Sequence, residues 1–180
     1  MIFRETGLPG AWLIEPERIE DERGFFARSW CAREFAERGL DARLSQCSIS
    51  RNRKAGTLRG LHYQRPPHAE AKLVRVTRGR AFDVIVDIRP ASPTRHRWFG
   101  TELDAESATM VYVPPGFAHG FQTLEDDTEL FYQISVPHHP PSAAGLRWDD
   151  PALAIAWPPA RERIISERDL AYPLLETVPG

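Results

Sequence analysis

The chain has 180 residues, a formal net charge of −2, 42% hydrophobic residues and two cysteines. That length suits one domain with a sizeable core, so we predict a single domain over residues 1–180. The small net charge gives no electrostatic case for nucleic acid or an anionic membrane as a partner. The opening residues lack a secretory signal, and no apolar stretch approaches the roughly 20 residues of a membrane span. We therefore expect a soluble cytoplasmic protein, in which Cys31 and Cys47 are reduced thiols.

The predicted elements begin with a helix over residues 29–40, SWCAREFAERGL, for which Gly39 is a suitable C-terminal stop. After this helix the hydrophobic pattern alternates, which predicts short strands rich in valine, isoleucine and aromatic residues. The predicted strands are LSQCSIS (44–50), AKLVRVTRG (71–79), AFDVIVDIR (81–89), WFGTELD (98–104), TMVYVP (109–114) and ELFYQISV (129–136).

Regular short strands without helices between them favour an antiparallel sandwich or barrel, with a jelly roll as the leading form. Prolines concentrate in the strand connections and in residues 137–141 and 151–159. The fold class predicted is therefore mainly β, an antiparallel jelly-roll (cupin-like) barrel with one short N-terminal helix and an extended C-terminal tail.

Two segments carry charged and aromatic residues that suit a ligand. In DERGFFARSW (21–30), Arg23 stands beside Phe25 and Phe26. A planar guanidinium matches phosphate oxygens, although this segment alone favours a solvated turn arginine beside two core phenylalanines. If TLRGLHYQ (57–64) is a strand, alternation places two sets of residues on opposite faces. These sets are Arg59, Leu61 and Tyr63 on one face and Leu58, Gly60, His62 and Gln64 on the other.

Further candidates lie downstream of these segments. His119 follows the Pro-Pro-Gly of VYVPPGFAHGFQTL (111–124), and Tyr132 stands within an apolar strand, where a buried hydroxyl needs a partner. Asp169 lies in the tail, which could fold back over a site. The segment PPGFAHGF is similar to the second motif of metal-binding cupins, with His119 as a ligand. His62, however, is not followed by a second histidine two residues on, and His68 lies beyond two prolines in a predicted loop, so we predict no metal.

Proton transfer fits the same residues better than metal binding. Histidines, a tyrosine, a lysine and an aspartate in one pocket supply a base, an acid and a group that stabilises an oxyanion. A carboxylate beside a histidine orients the ring and stabilises the imidazolium that forms. This combination is what deprotonation next to a carbonyl requires.

Taken together, these segments resemble the dTDP-4-dehydrorhamnose 3,5-epimerase family. The resemblance covers nearly the whole chain and rests on DERGFF, LRGLHYQ, AKLVRV, FDVIVDIRPASPT, VPPGFAHGF, FYQIS, RWDDP, IAWP and ISERD, in the order of the family. It implies a cofactor-free cupin-fold enzyme that acts on a nucleotide-linked 4-keto-6-deoxyhexose. It also implies a homodimer in which the N-terminal part of one subunit helps to build the nucleotide site of its partner.

The resemblance implies roles for individual residues. His62 matches the base that removes the ring protons, Asp169 the aspartate that pairs with it, and Tyr132 the acid that returns a proton from the opposite face. Asp83 matches a supporting partner of His119. The remaining matches are substrate-binding residues, namely Arg23, Phe26, Gln46, Ser48, Arg59, Lys72, His119 and Arg168.

Departures from the family pattern concern the nucleotide and sugar contacts. Ser48 stands where the family has asparagine, Arg28 and Ala143 where it has glutamate, His138 where it has tyrosine, and Arg168 where it has lysine. The expected reaction is inversion at C3 and C5, with dTDP-4-dehydro-6-deoxy-D-glucose as the substrate. Inversion at C3 alone, with another nucleotide, is the alternative. A catalytically inactive sugar-nucleotide-binding subunit and a metal-dependent cupin enzyme are alternatives of other classes.

Overall fold

The computed structural model describes residues 1–175, and antiparallel β-sheet dominates its regular structure. The first elements are β1 (Ile2–Glu5), β2 (Trp12–Glu15), β3 (Arg18–Asp21), β4 (Gly24–Ala27), α1 (Ala32–Ala36), β5 (Gln46–Asn52), β6 (Leu58–Gln64) and β7 (Lys72–Arg78). Then follow β8 (Arg80–Asp87), β9 (Trp98–Asp104), β10 (Met110–Val113), β11 (Phe117–Thr123), β12 (Thr128–Ile134), a 3-10 turn (Pro140–Ser142), β13 (Ala143–Gly145) and α2 (Glu167–Leu170). The prediction of a mainly β, antiparallel fold is confirmed.

Two sheets enclose the main core. One has six strands in the order β1-β2-β10-β7-β12-β5, and the other has five in the order β13-β6-β11-β8-β9. Successive side chains of a strand point to opposite faces of its sheet, so each sheet can turn an apolar face inward. Apolar side chains of both sheets meet in one buried cluster. The six-stranded sheet supplies Val74, Val76 and Leu130, among others, and the five-stranded sheet supplies Ile85, Leu103 and Phe121.

The N-terminal helix is shorter than predicted. It spans only Ala32–Ala36, because residue 31 is extended and Trp30 packs its ring against Phe35 rather than continuing the helix. The predicted stop at Gly39 is confirmed: its φ of +67° is a left-handed conformation, and the next amide, of Leu40, donates to the Phe35 carbonyl.

Strand prediction succeeded where valine, isoleucine and aromatic residues were dense between turn residues, and it missed six strands. β9 occupies the same residues as the predicted strand 98–104. The four short N-terminal strands, β11 and β13 were not predicted. All seven residues of β11 are buried, so its sequence has no alternation to detect, and β13 has only three small residues.

The face assignment in β6 was wrong, because the strand carries a bulge. Arg59 lies opposite Phe121 of β11, and His62 lies opposite His119. Between these two pairs, β6 has two residues, whereas β11 has only Gly120. Because of this extra residue in β6, Arg59 and His62 point to the same side of the strand. Gly60 permits this approach: its φ is +135°, and a Cβ there would lie 2.6 Å from the Gly120 Cα.

The C-terminal tail was predicted to be extended, but part of it forms the short helix α2. The Ser166 hydroxyl accepts a hydrogen bond from the Asp169 amide at 3.1 Å, which is an N-terminal cap for this single turn. Upstream, Ile164 forms an isolated parallel bridge with Thr57, beside the start of β6. These two anchors bring the tail to the end of the five-stranded sheet. No helix within residues 1–175 is long and apolar enough to cross a membrane.

Candidate active site

A cavity of about 420 Å³ opens between the two sheets and is closed on one side by the tail. Its walls include most of the residues that the sequence singled out. These are Gln46, Ser48, Arg59, His62, Lys72, His119, Tyr132, Arg168 and Asp169. The five-stranded sheet contributes both histidines and Arg59, the six-stranded sheet contributes Lys72 and Tyr132, and α2 contributes Arg168 and Asp169. Their roles remain predictions, since the geometry shows proximity and not catalysis.

His62 and Asp169 form the first ion-pairing unit of the cavity. The His62 Nε2 atom lies 2.8 Å from Asp169 Oδ1, while Asp169 Oδ2 accepts the Gly60 amide at 3.1 Å. Burial raises the pKa of Asp169, but the hydrogen bond and charge of His62, helped by the Gly60 and Ser166 donors, lower this pKa below its usual range. An ionised carboxylate orients Nε2–H toward itself, so the other ring nitrogen carries the lone pair that a general base requires.

His119 and Asp83 form a second, more deeply buried unit. The His119 Nε2 atom lies 2.8 Å from Asp83 Oδ2, and both side chains are almost fully enclosed by the five-stranded sheet. The His119 ring meets Tyr132 edge-on, with ring centroids 5.8 Å apart. Burial, to which the Asp83 carboxylate adds, raises the pKa of Tyr132 well above its usual range. Tyr132 is therefore protonated at neutral pH and has a hydrogen to donate.

Two cations also line the cavity, Arg59 from the five-stranded sheet and Lys72 from the six-stranded sheet. The Lys72 ammonium lies 3.0 Å from Glu70 Oε1 and donates to the His62 carbonyl at 3.3 Å. Arg59 donates from Nε to the Asn52 side-chain oxygen at 2.8 Å. These contacts fix the stems of two cations whose remaining donors can stabilise negative charge on a ligand.

Arg23 and Phe26 do not join the cavity of their own chain. They lie on the β3–β4 hairpin, which is a separate two-stranded sheet. Arg23 pairs with Asp21, and Phe26 is 75% exposed. The hairpin therefore presents charged and aromatic side chains outward.

The residues that depart from the family pattern are divided between two places. Four of them, Ser48, His138, Ala143 and Arg168, line the cavity, and the His138 amide donates to the Gln46 side chain at 2.8 Å. Arg28 lies elsewhere, with its guanidinium 2.8 Å from Glu34. His68, predicted to belong to the loop, stacks on His139 with ring centroids 3.7 Å apart.

Sequence reasoning missed several residues that shape the site. Glu70 is buried beside Lys72, Asn52 holds Arg59, and Tyr172 touches His62. Glu70 could have been found from the sequence, because it stands two residues before Lys72 and residues two apart lie on the same side of an extended chain. Tyr172 stands three residues after Asp169, which is the spacing of neighbours on a helical turn.

Metal-ligating side chains do not converge anywhere in residues 1–175: no three of His, Cys, Asp and Glu come together in a way that could hold an ion. The two cavity histidines each turn Nε2 toward an aspartate of their own. The absence of a metal from the reaction stays a prediction.

Comparison with known proteins identifies the family. A family model described as dTDP-4-dehydrorhamnose 3,5-epimerase matches residues 5–177. The dTDP-4-dehydrorhamnose 3,5-epimerase of Sinorhizobium fredii is 41% identical over 179 residues, covering 99% of this chain and 92% of that protein.

Solved structures agree with that match. The dTDP-6-deoxy-D-glucose-3,5-epimerase of Legionella pneumophila, in complex with dTDP-4-keto-L-rhamnose, superimposes with a TM-score of 0.93 at 38% identity, covering 99% of this chain and 94% of that one. ChmJ, a 3′-monoepimerase from Streptomyces bikiniensis in complex with dTDP-quinovose, gives 0.89 at 36% identity, with coverage of 95% and 86%. The cupin-like fold class is confirmed. The chain belongs to the dTDP-4-dehydrorhamnose 3,5-epimerase family.

Proposed function

We propose that this protein binds dTDP-4-dehydro-6-deoxy-D-glucose in the cavity and inverts C3 and C5 to form dTDP-4-dehydro-L-rhamnose. The family is one of isomerases, and the relatives named above act on or hold dTDP-linked sugars. The observation that carries the proposal is the pairing of His62 with Asp169 in a cavity that Tyr132 enters from the opposite sheet.

His62 acts as the base in this scheme. Protons on C3 and C5 are adjacent to the C4 carbonyl, so their removal leaves an enolate whose charge collects on the C4 oxygen. Asp169 stabilises the imidazolium that forms. Lys72 and Arg59, with His119 beside them, supply the positive charge and hydrogen-bond donors that an enolate oxygen needs.

Tyr132 acts as the acid. Inversion requires a proton to return on the face opposite to its removal, because a single base returns it where it came from. His62 belongs to the five-stranded sheet and Tyr132 to the six-stranded sheet, so they line opposite walls. The raised pKa of Tyr132 keeps it protonated until the enolate forms. Side chains of the protein supply every step, so the proposal includes no metal and no cofactor.

The active form in this proposal is a homodimer. The exposed hairpin that carries Arg23 and Phe26 supports a contribution to the nucleotide site of a partner subunit, because neither side chain reaches the cavity of its own chain. Two free cysteines and a nucleotide-sugar substrate support a cytoplasmic location.

Inversion at C3 alone is the second candidate. The likeness to ChmJ, a 3′-monoepimerase, favours it specifically, since that protein matches 95% of the chain.

Incubation with dTDP-4-dehydro-6-deoxy-D-glucose in heavy water, followed by NMR, distinguishes these reactions. Deuterium at both C3 and C5 in an inverted product supports the 3,5-epimerase, and deuterium at C3 alone supports the monoepimerase. No label at either carbon, from a folded protein that binds dTDP, would reject both. The same assay after treatment with a chelator tests the metal-free scheme, which requires unchanged turnover.

A further inference from the structure

Tyr172 lies against the proposed base, in a part of the cavity to which no role has been given. Its ring meets the His62 ring edge-on, with centroids 5.7 Å apart and planes inclined by 68°. Tyr172 is half-buried and lines the cavity together with His62 and Asp169. Within residues 1–175 its hydroxyl makes no hydrogen bond, so one polar group beside the base is free to meet a ligand.

The backbone is built to receive this ring. Gly145 of β13 lies directly opposite His62 in the antiparallel pairing of β13 with β6. A Cβ on Gly145 would lie 2.4 Å from Tyr172 Cε2 and 2.6 Å from Cδ2 and Cζ. The ring therefore lies on the bare backbone of Gly145, in space that any other residue at this position would fill.

The turn that delivers Asp169 also delivers Tyr172. Ser166 caps α2, and Ala171 keeps a helical conformation after it. Residues three apart on such a turn lie side by side, so Asp169 and Tyr172 reach the same imidazole. The Arg168 guanidinium, 5.8 Å from the centroid of the tyrosine ring, lies on the same wall.

We propose that Tyr172 contacts the hexose of the bound nucleotide sugar, with its hydroxyl bonded to a sugar hydroxyl and its ring against the carbon skeleton, and thereby determines specificity for the sugar part. This inference rests on the proposed function, because a hexose that gives protons to His62 must lie beside the ring that touches His62. The nucleotide needs no contact with Tyr172. Tyr172 therefore distinguishes a nucleotide sugar from the bare nucleotide.

Calorimetric titration with dTDP and with dTDP-quinovose, a 6-deoxyhexose ligand without the reactive keto group, tests this inference. Tyr172→Phe removes only the hydroxyl and should weaken dTDP-quinovose binding roughly 2- to 12-fold, the range of one net hydrogen bond. Tyr172→Ala also removes the wall and should weaken it by more than about 10-fold. Binding of dTDP should stay within about twofold of wild type in both variants, which a merely structural role of Tyr172 does not predict.

Gly145→Ala tests the contribution of the Tyr172 ring independently. Its methyl group would displace the ring of Tyr172, so it should weaken dTDP-quinovose binding in the wild-type background. In the Tyr172→Ala background the same change should have no further effect, because no ring is left to displace. Leu170→Ala, an exposed position on the same tail, is the matched control and should leave both affinities unchanged.

Equal losses of dTDP and dTDP-quinovose affinity in Tyr172→Phe, or wild-type affinity for both ligands in Tyr172→Ala, would overturn the inference. If the effects of Gly145→Ala and Tyr172→Ala on dTDP-quinovose affinity are additive, the Tyr172 ring does not pack on Gly145 as proposed. The proposed function fails separately: a wild-type protein that binds dTDP-quinovose but leaves the 4-keto sugar unlabelled in heavy water rejects epimerisation, while the comparison of Tyr172 variants still decides the sugar contact.

Discussion

Two histidine–aspartate pairs present an imidazole to the cavity, with the same 2.8 Å contact and very different surroundings. The His62 side chain is 40% exposed and its carboxylate arrives from the tail, whereas His119 is 5% exposed and its carboxylate comes from a neighbouring strand. An open imidazole can approach a substrate carbon and exchange its proton with water. An enclosed one, held by the sheet, is suited to a fixed hydrogen bond.

In the proposed function, this difference in exposure suits the two pairs to different chemistry. As the proposed base, His62 would accept a proton and release it in each turnover, so access to ligand and solvent is a requirement of that role. His119 touches the Tyr132 ring and is held by Asp83, so in the proposed function we expect it to fix the geometry around the acid and the keto oxygen. Substitutions in each pair test whether exposure separates these roles.

Replacing the open histidine should have the largest effect. We expect His62→Asn to lower kcat by at least ~10²-fold, the lower end of what a positioned general base contributes, because asparagine cannot accept the ring proton. Steady-state kinetics with dTDP-4-dehydro-6-deoxy-D-glucose measures this effect. Binding of dTDP serves as the control for folding, and turnover within about tenfold of wild type would remove His62 as the base.

Replacing the proposed acid should separate exchange from inversion. Tyr132→Phe keeps the ring that packs against His119 and deletes the hydroxyl, so the fold should lose at most about 0.5–1.5 kcal/mol of stability. His62 can still remove a ring proton and return a solvent-derived one to the same face. We therefore expect deuterium in unepimerised substrate and about 10²-fold less product, measured by NMR in heavy water.

Two other results of that experiment contradict the assignment. Equal loss of exchange and inversion, in a folded variant that binds substrate, would mean that Tyr132 supports proton removal. Normal epimerisation would leave His119 or water as the acid.

The contrast between the pairs could be predicted only in part from sequence. The strand that contains Asp83 and the one that contains Tyr132 were both predicted, because each is rich in β-branched and aromatic residues and is flanked by turn residues. That Arg59 shares a side with His62 was not predictable from period-two alternation, since the bulge depends on how β6 meets Gly120 of a strand 60 residues away.

The tail illustrates the same limit. Asp169 was placed in the site through resemblance, and the ISERDLAYP segment contains no hydrophobic pattern that would bring it there. Its position depends on the Ser166 cap and on the bridge between Ile164 and Thr57, and both are tertiary or single-turn features. Tyr172 was missed for this reason, although its spacing from Asp169 was visible.

Replacing each carboxylate in turn should separate the roles of the two pairs. Asp169→Asn leaves the His62 ring less well oriented and its cation unstabilised, so we expect kcat to fall at least ~10-fold with little change in dTDP binding. Asp83→Asn should lower kcat less and destabilise the fold more, by about 1–3 kcal/mol, because it disturbs a hydrogen bond in the buried sheet.

Kinetics and urea unfolding of both variants measure these two effects. Wild-type kcat in Asp169→Asn would show that the tail does not support the base. A larger loss of kcat in Asp83→Asn than in Asp169→Asn would reverse the roles assigned to the two pairs.

Another buried carboxylate, that of Asp87, contrasts with both pairs because, within residues 1–175, its side chain has no histidine partner and does not line the cavity. Its oxygens accept bonds from Arg89, Ser92 and Thr94, which together hold the loop between β8 and β9. Burial opposes ionisation, but these donors outweigh it and lower the pKa of Asp87 to about 2 from 3.8. The folded protein therefore binds this proton less readily than the unfolded chain, so the stabilisation is complete above pH 3.8 and is lost as pH falls through about 2.

We expect Asp87→Asn to lower the free energy of unfolding at pH 7 by about 2 kcal/mol, following the shift in pKa, while kcat at 25 °C stays within about twofold of wild type. Below pH 4 the unfolding free energy of the wild type should decrease with falling pH more steeply than that of the variant, because only the wild type has this carboxylate to protonate. Urea unfolding between pH 7 and pH 3 gives both quantities. Parallel pH profiles would show that Asp87 is not the source of this acid sensitivity. A large loss of kcat in a variant that is fully folded would mean that the loop beyond β8 reaches the chemistry of the His119 pair.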